Sequence, residues 1–451
     1  MKKRSKNQPS ISRRSFIQTG SSILAGSLLA SSAKARTESE EKDIIKSYRK
    51  LGRTGFEVSD ISMGGTRNRE MNVFRYAYDK GVNYFDTAET YINGNSQILL
   101  GEALKHMDRK KIFITTKLHL DDDESADSVL NRFNKCQEKL QTEYIDALYM
   151  HNPSAVELLN HQGFHQTTTQ LRAEGRLRFI GLSCHGPRRG DGDSMEKVLC
   201  TAAEDGRFDL MLLIYNFMQE GAGNKILSAC KKKNVGTSAM KTKPGVIQVE
   251  KYNPDSPTPS QKEYIQRMEK RGLSTQEAVQ RLKNWLQDQA ESQIQTKPFA
   301  DKYGLNTDEQ LHIASVRWVL SNKDMHTACI SFSDFDQVDK YIAFSGTYLS
   351  ARDREFIEDF GSVFKNGYCR HGCTSCTEIC RHKLPVSTIM RYAYYFDGQH
   401  REKEAMKKYE LLGSKNSLLC AGCDAPCMHA CPFQLNIPSQ LYQAHSLLTS
   451  A

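Results

Sequence analysis

One unit recurs eight times between residues 47 and 345: a short run rich in β-branched residues, then an amphipathic stretch of helical period. The candidate strands are Ile61–Met63, Tyr84–Asp86, Ile112–Thr116, Ile145–Met150, Phe179–Ser183, Leu210–Tyr215, Val235–Met240 and Thr327–Ile330. The helices predicted between them include Asn72–Lys80, Ser96–His106, Ser125–Leu140, Phe164–Glu174, Glu196–Glu204, Asn224–Lys233 and Thr307–Ser321. This α/β alternation predicts a (β/α)8 TIM barrel. Ahead of it, Leu51-Gly52-Arg53-Thr54-Gly55-Phe56 reads as a hairpin that plugs the barrel floor. Residues 246–303 break the repeat: they are polar, carry Pro254, Pro257 and Pro259, and look helical at 262–270 and 274–289. They read as an insertion on the side where barrel enzymes build lids, or as a solvated helical hairpin.

The cysteines point to metal. Eight of the 13 fall between residues 369 and 431, in two sets. Cys369, Cys373, Cys376 and Cys380 read C-x3-C-x2-C-x3-C; Cys420, Cys423, Cys427 and Cys431 read C-x2-C-x3-C-x3-C, with Pro432 next. An iron–sulfur cluster needs four converging thiolates, and gaps of two or three residues let one tight loop present three. The closing Cys-Pro is a bacterial ferredoxin signature, in which the fourth Cys of a set often ligates the other cluster. Both sets depart from the usual spacing, and Arg381 stands where the first would carry Pro. Structural zinc also accepts four thiolates, and an exported chain can form disulfides, so both remain as alternatives to two [4Fe-4S] clusters. Helices expected at Val386–Phe396, Glu402–Leu412 and Ser439–Leu448 make residues 361–448 a small helical, two-cluster, ferredoxin-like domain. The other five cysteines (Cys136, Cys184, Cys200, Cys230 and Cys329) read as small buried hydrophobes.

Residues 1–35 look like an address. A basic stretch leads through Ser12-Arg13-Arg14-Ser15-Phe16-Ile17 into a small, apolar segment, Gly20 to Ala30, and then Ala33-Lys34-Ala35. That is the layout of an export signal of the twin-arginine type, with cleavage expected after Ala35 and a periplasmic destination. The same residues explain the formal charge of +9, since seven of its positive charges and no acid lie there. The remaining +2 indicates no basic nucleic-acid surface. No apolar run reaches the length of a transmembrane span.

Chemistry gathers where the barrel strands end. The second ends in Asp86-Thr87-Ala88-Glu89-Thr90-Tyr91, the third at Lys117 and the fourth at His151. Carboxyl ends of barrel strands host barrel active sites. A Tyr near pKa 10 needs help to exchange a proton at neutral pH. An adjacent Lys⁺ favours its phenolate, Asp86 holds that Lys, and His151 orients a substrate carbonyl. Each residue alone has a structural explanation; four at three consecutive strand ends are harder to explain so.

The stretches Tyr48-Arg49-Lys50-Leu51-Gly52-Arg53-Thr54-Gly55, Phe85-Asp86-Thr87-Ala88-Glu89-Thr90-Tyr91, Asn95-Ser96-Gln97 with Leu100-Gly101-Glu102-Ala103-Leu104, and Ile180-Gly181-Leu182-Ser183 resemble the aldo-keto reductases over about residues 47–345. The resemblance implies catalytic roles for Asp86, Tyr91, Lys117 and His151, with Tyr91 as proton donor. It implies hydride transfer between NAD(P)H and a small-molecule carbonyl or alcohol. Ser183 would touch the nicotinamide carboxamide, Asn216-Phe217 the ring, Met240-Lys241 the pyrophosphate and Ser331 the cofactor beyond the last strand. The stretch Ser331-Phe332-Ser333-Asp334-Phe335-Asp336-Gln337 carries two acids and no base, a poor match for an NADP 2′-phosphate. The C-terminal part is similar to the ferredoxin-like extension of some bacterial members.

Two functions are compatible with this pattern. In one, the barrel holds a nicotinamide acquired before export and the clusters relay electrons to a redox partner protein or carrier. In the other, the barrel is a scaffold that no longer binds nicotinamide and the chain is an electron-transfer protein. Substrate choice would fall to loops 152–163, 184–194 and 246–303, which with their flanks hold His161, His165, His185, Arg188 and Arg189.

Overall fold

The structure, a computed structural model, describes residues 44–187, 192–244, 309–364, 368–397, 399, 401–420 and 423–449, with short stretches between 257 and 303. The expected export signal 1–35, most of the insertion 246–303 and residues Arg188 and Arg189 lie outside the described residues.

A hairpin of β1 (Tyr48–Lys50) and β2 (Glu57–Ser59) precedes eight parallel strands. These are β3 (Ile61–Gly64), β4 (Tyr84–Asp86), β5 (Phe113–Leu118), β6 (Ile145–His151), β7 (Leu177–Cys184), β8 (Leu210–Ile214), β9 (Gly236–Met240) and β10 (Thr327–Ile330). They close in chain order, with β10 pairing both β9 and β3, which is the (β/α)8 barrel expected from the alternation. The strand interior is filled by Tyr84, Phe113, Ala147, Tyr149, Leu210 and Leu212. The Tyr84 and Tyr149 hydroxyls hydrogen-bond to each other at 3.0 Å. Space for the Tyr149 ring comes from Gly181 on β7, where a Cβ would stand 2.0 Å from Tyr149 Cε1. Outside the barrel, helices such as Ala126–Leu140 and Met195–Asp205 bury Val129, Phe133, Val198 and Leu199 against the strands. Ser125 and Ser194 start these two helices by accepting the N–H of Ser128 and Lys197.

The hairpin does close the floor. Gly52 sits at φ +50, and a Cβ there would lie 2.3 Å from Gly236 N at the start of β9. Arg53 ties the hairpin down through Nε to Asp209 Oδ1 at 2.9 Å.

Beyond residue 345 come the helices Ala351–Phe364, Ser375–Ile379, Val386–Asp397, Glu402–Glu410, Cys427–Ala430 and Ile437–Leu448. They include the three helices expected after the cysteine sets. The last four share a core of their own, including Leu384, Ile389, Tyr392, Tyr409, Leu435, Ile437 and Leu441. This extension seats on the carboxyl rim of the barrel. Met195 N donates to Gly372 O at 3.2 Å, Thr388 Oγ1 to Pro187 O at 2.9 Å, and Arg370 Nε to Met218 O at 3.1 Å. The closest approach is backbone on backbone: a Cβ on Gly186 (φ +89) would stand 2.3 Å from Gly372 Cα.

Gly186→Ala therefore combines a left-handed backbone with a steric clash and should cost about 1–3 kcal/mol. A lower melting temperature and faster proteolysis between residues 345 and 374 are expected; a variant indistinguishable from the parent in both would show that this contact does not hold the extension.

Candidate active site

The parallel ring sends Asp86, Lys117 and His151 to one rim, and the chain after β4 brings Tyr91 over them. Lys117 has no exposed surface and Asp86 is 3% exposed. Lys117 Nζ lies 2.6 Å from Asp86 Oδ2 and donates to Thr87 O at 2.8 Å, while Thr115 Oγ1 donates to Asp86 Oδ1 at 2.7 Å. The Lys117 ammonium sits 4.7 Å from the centre of the Tyr91 ring. Tyr91 and His151 meet edge to face, with ring centroids 5.9 Å apart. The four residues expected from the strand ends are thus brought together. The turn that places Tyr91 is strained: Ile92 and Asn93 follow it at φ 52 and 55, and Gly94 at φ 87.

The electrostatics differ from the expectation in one respect. Burial pushes the Tyr91 hydroxyl up to about 12, although Lys117 pulls it down. Desolvation of the phenolate outweighs the nearby ammonium, so Tyr91 is a protonated donor throughout the neutral range. Burial works against the Lys117 charge, but Asp86 and Tyr91 together still hold its pKa above the ordinary lysine value.

The residues expected at a nicotinamide line the same rim. Ser183 is buried and lies in register with His151. Asn216, fully buried after β8, donates through Nδ2 to Lys241 O at 3.1 Å and accepts the Met218 N–H at 3.1 Å. Met240 ends β9, and Lys241 turns the chain at φ 51. Ser331, across the ring, shares a 2.6 Å hydrogen bond with Thr66 Oγ1. Beyond it, Asp334 caps the helix Phe335–Ile342 by accepting the Gln337 N–H at 2.9 Å.

One neighbour of the tetrad escapes a reading of strand ends alone. The His119 ring stacks on His151 at 3.7 Å and 11°, and its Nδ1 is 2.7 Å from His151 O. Its place two residues after Lys117, just past the end of β5, was the available signal. Cys329, on β10, packs against the barrel-interior core as expected of a small buried hydrophobe, and burial pushes its thiol well up, with Asp86 and Lys117 nearby. Cys184 is buried, and its thiol is pushed up to about 12 by burial. Of the histidines in the loops and their flanks, His161 accepts the Phe164 N–H at 3.0 Å and its Nε2 lies 2.8 Å from Asp121 O, while His165, in the helix Gln162–Ala173, bonds Leu159 O at 2.7 Å. His185 faces the extension instead, with Nδ1 2.8 Å from Arg391 Nη1.

The eight clustered cysteines are unpaired, as are the other five. They fall into two neighbourhoods that cross the sequence sets. The Cys369 thiol has Cys373, Cys376 and Cys431 as electrostatic neighbours, and the Cys420 thiol has Cys380, Cys423 and Cys427; the two groups adjoin, since Cys376 also has Cys427 as a neighbour. Cys380, Cys420, Cys423 and Cys427 line one recess with Leu384, Val386, Pro426, Pro438 and Leu441. Among the described residues, no group of three or more His, Cys, Asp or Glu stands at ligand spacing for a single metal ion. No helix among the described residues is long and apolar enough to cross a membrane.

Comparison with known proteins agrees with the barrel. The family described as "Aldo/keto reductase family" matches residues 62–360. A protein of Glycine max named "Probable aldo-keto reductase 1" is 33% identical over 158 residues, 31% of this chain and 45% of that protein. A "Putative voltage-gated potassium channel subunit beta" of Schizosaccharomyces pombe is 31% identical over 170 residues, 34% of this chain and 48% of that one. The chain thus spans about half the length of the curated relatives it matches. Among solved structures, an aldo-keto reductase of Klebsiella pneumoniae in complex with NADPH is 17% identical, with a TM-score of 0.47, over 70% of this chain and 95% of that one.

Removing one partner of a buried ion pair strands the other, at a cost of about 3–5 kcal/mol. Lys117→Met should accordingly lower stability by about that amount in urea denaturation; a loss under about 1 kcal/mol would show that Asp86 is neutral or hydrated in the fold.

Proposed function

Because the chain belongs to the aldo/keto reductase family, we propose that it is an oxidoreductase acting on a small carbonyl or alcohol with a nicotinamide cofactor, and that its extension relays electrons through two [4Fe-4S] clusters. The observation that carries the first half is the buried Lys117–Asp86 pair beneath Tyr91, with His151 edge-on beside it. Bound nicotinamide supplies or accepts the hydride. Tyr91 gives its hydroxyl proton to the carbonyl oxygen that gains negative charge. Lys117 stabilises the phenolate left behind, Asp86 fixes Lys117, and His151 orients the carbonyl. His119, stacked on His151, limits the ring orientations His151 can take. Ser183, Asn216, Met240, Lys241 and Ser331 would hold the cofactor; their common rim and the buried amide of Asn216 suit a polar ligand.

For the clusters, the donor set suits the group. Cys369, Cys373, Cys376 and Cys431 would hold one, and Cys380, Cys420, Cys423 and Cys427 the other, the crossed pairing of two-cluster ferredoxins. Four thiolates in each neighbourhood match the four irons of a cubane, each of which takes one cysteine. When bound, the clusters pass single electrons. The first neighbourhood adjoins the barrel: Tyr368, the residue before Cys369, has its hydroxyl beside Asn216. The second is the outer one, where Arg381 and Asp424 pair at the exposed surface. The domains proposed are residues 1–35, 47–345 and 361–448. The twin-arginine segment would deliver the loaded protein through the export machinery to the periplasm, where a redox partner completes the circuit.

The second reading, an electron-transfer protein on a barrel scaffold, draws on Asp334 and Asp336. Both lie where a 2′-phosphate would sit, with no base in residues 331–337. The protein lacking residues 1–35, purified anaerobically, should contain about eight irons per chain. Its EPR signal should grow on adding NADH, and less on adding NADPH. A response to dithionite alone would leave only the second reading, and zinc in place of iron would sink both. Tyr91→Phe should lower turnover about 10²–10⁴-fold with the iron content unchanged. Carbonyl reduction should stay flat between about pH 6 and 9, because Tyr91 loses its proton only toward its raised pKa of about 12. A fall through neutral pH would assign the proton to another group.

A further inference from the structure

One buried cation of the extension lies against a set of cysteines. Arg370 follows Cys369 in the chain and is 7% exposed. Its guanidinium lies over the ring of Phe433, 3.7 Å from the ring centre, and Phe433 stands two residues after Cys431. The side chain is therefore held between the two stretches that bring Cys369, Cys373 and Cys376 together with Cys431. Cys369, Cys373 and Cys431 are within its electrostatic reach, and the Cys369 thiol has Arg370 as its neighbouring cation. Two backbone carbonyls fix the head of the side chain. Nε donates to Met218 O at 3.1 Å on the barrel side, and Nη1 donates to Tyr368 O.

The other set is arranged differently. Arg381 is the arginine beside it, with Nη2 3.9 Å from Cys423 Sγ. That side chain is 60% exposed and pairs at 3.1 Å with Asp424, which is 80% exposed. Water and the paired carboxylate screen its charge. Arg370 acts where there is less water, and there a charge is felt more strongly.

Charge helps to decide how readily a cluster is reduced. A cubane on four thiolates is an anion, and reduction adds one more negative charge, so a cation close to the sulfurs raises its potential. A guanidinium supplies such a charge at any working pH.

We propose that Arg370 is the countercharge of the inner cluster, the one on Cys369, Cys373, Cys376 and Cys431, and makes its one-electron reduction easier than four thiolates alone would allow. Arg370 acts through the cluster and touches no substrate, so it is a positioning residue. The step is the gain of one electron, with no bond made or broken and no proton taken up; dithionite is the donor in the test. This assignment rests on the two-cluster reading, for which iron content is an independent check.

An EPR-monitored redox titration of the cluster-loaded full chain, with dithionite as reductant, tests it. Arg370→Gln should keep about eight irons and move one of the two reduction steps to lower potential. At a fixed potential the reduced-to-oxidised ratio of that cluster should fall about tenfold, which for one electron is about 59 mV. The other step should stay in place. A soluble dysprosium chelate broadens the signals of clusters near the surface, so the shifted step should belong to the less broadened signal. Arg370→Lys keeps the charge and should restore most of the potential. Phe433→Leu removes the ring that holds the guanidinium and should shift the same step downward by less; it carries the test if Arg370→Gln loses iron. Arg381→Gln should leave the inner step where it is. Two unchanged steps, in whichever of Arg370→Gln and Phe433→Leu keep their irons, overturn the proposal and leave the clusters standing. So does a shift confined to the more broadened signal. An Arg370→Lys variant shifted as far as Arg370→Gln also overturns it, because the effect would then be one of packing. Zinc in place of iron in the parent removes the two-cluster reading and this assignment with it.

Discussion

A ring of parallel strands closed by β10 on β3 has no free edge, and it sends every strand's carboxyl end to the same rim. The chemistry follows from that constraint. Asp86, Lys117, His151 and Ser183 come from four neighbouring strands, separated by up to about a hundred residues in sequence; the register sets His151 opposite Ser183 and places Lys117 two residues beyond the partner of Asp86 and His151 two beyond the partner of Lys117. The opposite face is committed to stability: Arg53 and Asp209 fasten the floor hairpin, and Arg109 and Arg178 pair with the fully buried Asp146. The extension has only the rim available to it. It docks there through Gly186, Pro187, Met195 and Met218.

Two buried cations at this rim show how differently a fold can treat charge. Lys117 is enclosed with Asp86, and the pair is satisfied by Thr87 O and Thr115 as well, so its charge is stable without a ligand. Arg391 is also buried, and its guanidinium meets the His185 imidazole. The first arrangement is finished by the protein alone. The second joins the extension to the barrel, since His185 follows β7 and Arg391 lies on the helix Val386–Asp397.

Much of this was legible in the chain. The period-2 and period-3.6 patterns gave strands and helices whose bounds fall within a few residues of those observed, because each element buries one face and alternates accordingly. The tetrad could be read because barrel strands place polar residues at their ends only for a reason. His119 was missed although it lies one side-chain repeat beyond Lys117, since a lone histidine carries no pattern of its own. The sign of the Tyr91 shift was also missed: a sequence shows the neighbouring lysine but not the burial that outweighs it.

By itself, then, the sequence determined the barrel, the four strand-end residues and the two cysteine sets, all of which depend on local periodicity and spacing. Only the tertiary structure decided which cysteines are neighbours across the two sets and that the Tyr91 hydroxyl stays protonated. It alone placed Tyr368, His371 and Arg391 on the barrel rim, some 150 to 200 residues from their partners Gln219 and His185. Burial and cross-chain proximity are properties of packing, and no linear spacing encodes them.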